Sequence, residues 1–146
     1  MRVVLWSLLF VVVTRATVAQ DRQVVRPPSS VTGLPFSPAV RVGNMLYLSG
    51  QLGIMPGAPQ LADTGIAGQT RQALENVKAV LVYSGSALER VVKCTVFLAD
   101  MGDFAKMNEV YATYFSKDPP ARSTVAASGL ALGARVEIEC VATVGA

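Results

Sequence analysis

The chain has 146 residues, enough for one domain with a real core and too few to expect two. Thirteen basic residues stand against ten acidic ones, without a run of like charge, and there is no histidine. The missing imidazole excludes a Ser-His-Asp triad, a Cys-His pair and a histidine-ligated zinc.

Arg2 precedes an apolar run from Val3 to Val13, and T-R-A-T-V-A then leads to Gln20. A membrane span needs about 18 or more apolar residues, so this run is too short for one. A charged start, a short apolar middle and the small residues Thr17 and Ala19 predict a signal peptide over residues 1–19 and an exported protein, periplasmic or secreted. The alternative, an uncleaved anchor, is weakened by Arg15 and by the length of the run. Cleavage removes Arg2 and Arg15 and leaves eleven basic residues against ten acidic, a net charge of +1. That balance gives no general electrostatic case for nucleic acid or for a membrane surface.

Residues 20–31 form a polar, proline-bearing lead-in that reads as flexible, and the domain proper is expected over 32–146. Val40–Val42, Gly43-Asn44 and Met45–Ser49 predict a hairpin, with Gly-Asn supplying the positive φ angles of a tight turn. Gly50 to Thr64 carries too many glycines and prolines for regular structure and reads as loop. From Gly65 to Ser84, Ile66, Ala73, Leu74, Val77 and Leu81 recur at helical spacing, and Gly85 stands where a C-terminal glycine belongs. Ser86 to Glu89 has capping-box spacing for a short turn. Val91 to Leu98 alternates as a strand. Asp100 or Asp103 caps a second helix to Phe115, with Phe104, Met107, Tyr111 and Phe115 as its inner stripe. Lys117-Asp118-Pro119-Pro120 breaks that helix.

Two alternating runs follow, Ala121 to Ser128 and Arg135 to Cys140, around a Gly-containing loop. With Val125 and Ala127 facing the core, Arg122 and Thr124 face away; with Val136, Ile138 and Cys140 inward, Glu137 and Glu139 face away. Parity thus puts Arg122 and Glu137 on one sheet face, an anion receptor beside a carboxylate. Cys94 and Cys140, the only cysteines, fit no CxxC spacing. They read first as two small buried side chains on neighbouring strands, with a disulfide as the lesser alternative because mid-sheet pairs often miss its geometry. The order hairpin, helix, strand, helix, strand, strand predicts a single α+β domain, a mixed sheet with two helices on one face. Its other face, with Thr95 and Phe97, needs a partner subunit or a ligand.

The segments G-L-P-F-S-P-A-V, G-N-M-L-Y-L-S-G-Q, Q-A-L-E-N-V-K-A-V, V-V-K-C-T-V-F-L-A-D-M-G-D-F-A-K-M-N-E-V-Y, P-P-A-R-S-T-V and R-V-E-I-E-C-V-A occur in this order between Thr32 and Val144. Together they resemble the RidA (YjgF/UK114) family of reactive intermediate deaminases. The resemblance implies a chorismate-mutase-like fold, a homotrimer, and ligand sites in the clefts between subunits. It further implies hydrolysis of 2-imino acids or their enamine tautomers, such as 2-iminopropanoate, to 2-keto acids and ammonia without metal or organic cofactor. Arg122 matches the family arginine that holds the substrate carboxylate, and Glu137 the glutamate that positions the attacking water. Ser49, Gly50 and Asn108 match cleft positions. Phe36 and Thr124 depart from the best-known branch, which has a tyrosine and a cysteine there. Three functions compete: the deaminase, an exported trimeric small-molecule-binding or chaperone-like protein without turnover, and an endoribonuclease. The last is disfavoured by the absence of histidine and of a basic aromatic patch.

Overall fold

The computed structural model describes residues 21–58, 60–62 and 65–145. The leader expected over residues 1–19 lies outside them. Seven strands form one sheet: β1 (Arg22–Val25), β2 (Ala39–Val42), β3 (Met45–Leu48), β4 (Gln51–Leu52), β5 (Val91–Leu98), β6 (Ala121–Ala126) and β7 (Val136–Thr143). Their order is β1-β2-β3-β7-β5-β6, and β4 pairs with β7 beyond the end of β3. All pairs are antiparallel except β5 with β6, which are joined through the second helix.

Helices α1 (Ile66–Tyr83) and α2 (Phe104–Tyr114) cover one face. All five residues of the stripe expected on α1 are buried. They meet the inward residues of β7, Val136, Ile138, Cys140 and Ala142, and Cys94, Val96 and Leu98 of β5. The end of α1 is set by Gly85: at φ +74° it lets Ser86 N donate to Leu81 O (2.9 Å) and its own N to Val82 O (3.1 Å). Asp100 accepts from Gly102 N at 2.8 Å and starts a 3-10 turn that feeds α2.

Several local expectations change. The lead-in contains β1, paired along its whole length with β2. The expected loop after Gly50 contains β4, because β3 leaves part of the β7 edge free and Gln51–Leu52 takes it. In the hairpin only Gly43 has positive φ, the pattern of a type II′ turn. Ser86 does not cap the short turn at Leu88–Arg90; its Oγ donates to Thr143 O at 2.8 Å. Cys94 and Cys140 form a disulfide. They are direct cross-strand partners with Cα atoms 4.1 Å apart, so register supplies the approach that sequence could not promise.

The largest correction concerns β6. Its parallel register pairs Arg122 with Cys94 and Thr124 with Val96, both helix-facing, and pairs Val125 with Phe97 on the open face. Arg122 and Thr124 therefore lie on the helix side, and Val125, 45% exposed, on the other. Glu137 pairs with Phe97 and lies on the open face. Apolar-inward parity fails here because β6 is an edge strand: α2 brings aromatic side chains to it, and these receive a guanidinium.

Candidate functional site

Two groups of the expected site residues emerge, one on each face. Beneath α2, the Arg122 guanidinium lies over the Tyr111 ring, 4.6 Å from its centroid, and 5.8 Å from that of Phe104. Phe104, Asn108 and Tyr111 share one helix face by their spacing of four and three residues. Tyr111 packs in turn against Phe115, with centroids 4.7 Å apart and the rings tilted by 36°. Among the described residues the Arg122 side chain makes no hydrogen bond or ion pair. The Asn108 Oδ1, Tyr111 OH and Thr124 Oγ1 atoms are buried without a hydrogen-bond partner among the described residues. Burial lifts the Tyr111 hydroxyl to about 12, against a smaller opposing effect of Arg122. The phenol thus stays neutral at any working pH and never becomes a counter-charge to the arginine.

On the open face, Glu137 sits on the central strand β7, opposite Leu52 of β4. A Cβ on Gly50 would fall on the Glu137 carboxylate, so the missing side chain of Gly50 is what makes room for it. Ser49 anchors the approach to β4: its N donates to Pro38 O at 3.0 Å and its Oγ to Ser37 O at 2.6 Å. That ties the segment carrying the exposed Phe36 to the end of β3. Burial, then the neighbouring Glu139, raise the Glu137 carboxyl above its ordinary value. Such a carboxylate is a better base than a fully solvated one.

Within one chain these groups do not converge. Arg122 and Glu137 lie two strands and three register positions apart, roughly 10 Å across the sheet and 10 Å along it, and on opposite faces. The structure gathers Ser49, Gly50 and Glu137 in one place and Asn108, Arg122 and Thr124 in another. The aromatic support of Arg122 was not singled out in the sequence. Its trace is the helical spacing of Phe104, Asn108 and Tyr111, which reads equally well as ordinary core.

The family model for Endoribonuclease L-PSP matches residues 28–144. The chain belongs to the RidA/YjgF family. Among curated RidA relatives, the 2-iminobutanoate/2-iminopropanoate deaminase of Mus musculus is 44% identical over 111 residues, covering 76% of this chain and 82% of that protein. Two solved RidA-family structures show the same fold. RidA from an Antarctic Psychrobacter has a TM-score of 0.79 at 38% identity, covering 84% of this chain and 99% of that one. Escherichia coli TdcF, solved with bound serine, has a TM-score of 0.78 at 31% identity, covering 84% and 99%.

Proposed function

We propose that the chain is a hydrolytic deaminase of 2-imino acids and their enamine tautomers, such as 2-iminopropanoate, acting as a homotrimer. The observation that carries this reading is the Arg122 guanidinium, held on aromatic faces with no carboxylate upon it among the described residues. Such a group grips a ligand carboxylate through two parallel hydrogen bonds. The curated deaminases among the relatives support the same chemistry, and serine in TdcF is a small amino acid with the same carboxylate end.

Assembly supplies the convergence that one chain lacks. Register places Val24, Val40, Tyr47 and Val141 in one row across the open face, with Val24 and Tyr47 exposed, and Phe97 and Val125 in another. An apolar face of this extent calls for a cover. A neighbouring subunit laid over it brings the Arg122 edge of one copy to the Glu137 face of the next. Arg122 then fixes the carboxylate of the imino acid, and Glu137 takes a proton from water as the oxygen adds to the imine carbon. That proton passes to the nitrogen and completes the carbinolamine; its hydroxyl then gives up a proton as the nitrogen gains one, the C–N bond breaks, and a 2-keto acid and ammonia leave. Phe36, Ser49, Gly50, Asn108 and Thr124 line or support this cleft.

The test follows an imino acid generated in place by an amino-acid oxidase. Wild-type protein should accelerate its loss. Arg122→Ala should lose roughly ten-fold to a few hundred-fold in kcat/KM, as expected for hydrogen bonds to a charged group of about 1.5–3 kcal/mol. Arg122→Lys should recover only part of this, since a point charge lacks the planar fork. Glu137→Gln should depress kcat more than it raises KM. Wild-type protein that leaves the spontaneous rate unchanged while binding 2-keto acids would favour the second reading, a binding or chaperone-like trimer.

We further propose that residues 1–19 are a signal peptide and that the protein works outside the cytoplasm, in the periplasm or beyond. The buried Cys94–Cys140 bridge supports this, since such bonds persist in oxidising compartments. Sequencing of the native soluble protein should find Gln20 at its N-terminus, and a cytoplasmic form beginning at Met1 would overturn the proposal.

A further inference from the structure

We propose that Tyr111 is the positioning residue of the substrate-binding arginine: its ring face holds the Arg122 guanidinium in place without consuming any of the N–H donors the ligand needs. The inference rests on the deaminase reading for its substrate, and on geometry for the rest. Two arginines of this chain supply the contrast. Arg135 is fixed by Asp103, with Nε and Nη2 each donating at 2.8 Å to a carboxylate oxygen. A guanidinium held in that way has its fork already occupied. Arg122 is fixed by rings instead, with Tyr111 at 4.6 Å and Phe104 further off at 5.8 Å. Attraction to a ring face is electrostatic and leaves the in-plane donors open.

Tyr111 is suited to this as Phe104 is not. It is only 5% exposed, whereas Phe104 is 36% exposed. Its ring also packs against Phe115. Its hydroxyl makes no hydrogen bond among the described residues, so the ring and not a polar contact fixes the arginine. Tyr111 therefore acts through Arg122, and Arg122 touches the substrate.

The test measures binding of pyruvate, a 2-keto acid product, by calorimetry, alongside kcat and KM in the oxidase-coupled assay. Tyr111→Leu removes the ring and should weaken pyruvate binding and raise KM about 3- to 30-fold, the range a partly buried cation–π contact spans, with a smaller change in kcat. Tyr111→Phe keeps the ring and should retain wild-type KM. In an Arg122→Ala background, Tyr111→Leu should have no further effect on either quantity, a coupling that mere loss of packing would not produce. Equal loss of binding from Tyr111→Phe and Tyr111→Leu, or additive effects with Arg122→Ala, would overturn the proposal. So would a folded, trimeric Tyr111→Leu protein with unchanged binding. A wild type that binds pyruvate through Arg122 without turnover would defeat the deaminase reading alone, because the Tyr111 comparison is then still read in binding. A wild type that neither binds a 2-keto acid nor speeds the loss of an imino acid defeats both.

Discussion

Arg135 donates from Nε and Nη2 to Asp103, while the Arg122 guanidinium lies on the rings of Tyr111 and Phe104 with no hydrogen bond among the described residues. That difference, invisible in two arginines of one sequence, separates a cation held by a carboxylate from one held on ring faces. Glu137 shows the same dependence on surroundings, since burial and Glu139 together raise its carboxyl above the ordinary 4.5. If Glu137 must be ionised to take a proton from water, activity falls as pH drops through its pKa, and the acid limb of kcat/KM should lie above pH 4.5. Glu139→Gln removes a like charge, makes ionisation of Glu137 easier, and should move that limb to lower pH. Burial, the larger cause, would remain, so the limb should stay above the ordinary carboxylate position. A limb that does not move, or moves upward, would show that Glu137 is not the titrating base.

At the scale of elements, the helices were legible because their apolar positions recur and their ends carry clear signals, such as Gly85 after α1. The hairpin was legible from Gly43-Asn44. What sequence did not give was strand partnership. β1 and β4 have only four and two residues and exist because a neighbouring edge was free. The disulfide needed the register that sets Cys94 opposite Cys140. The face of Arg122 was misread for a related reason: alternation tells that two sets of side chains point apart, not which set is covered. On β6 the covering element is α2, and it favours the arginine. Gly50 tests how closely β4 is tied to the site. Its missing side chain is filled by the flexible end of Glu137, so Gly50→Ala should displace the carboxylate while costing little stability. The expected result is a fall of about ten-fold to a hundred-fold in kcat, the effect of misplacing a catalytic group by about an ångström, with a nearly unchanged melting temperature. A fully active Gly50→Ala protein would remove Glu137 from that position in the working enzyme.

The whole molecule poses the sharper question, because one chain holds Arg122 and Glu137, the parts of the proposed site, on opposite faces of its sheet. The resemblance in sequence implies residues that act together, and the fold of a single chain keeps them apart; the proposed trimer reconciles the two. A shared site makes a specific demand on mixed trimers. Subunits carrying Arg122→Ala and subunits carrying Glu137→Gln should each give nearly inactive trimers alone. Unfolded together in equal amounts and reassembled, they should regain activity, since about one quarter of the clefts pair an intact Arg122 from one subunit with an intact Glu137 from the next, if assembly is random. A site shared between subunits predicts recovery toward that quarter of wild-type turnover of 2-iminopropanoate. Reassembled mixed trimers that stay as inactive as their parents would contradict it, because a site with both residues from one subunit gains nothing from mixing.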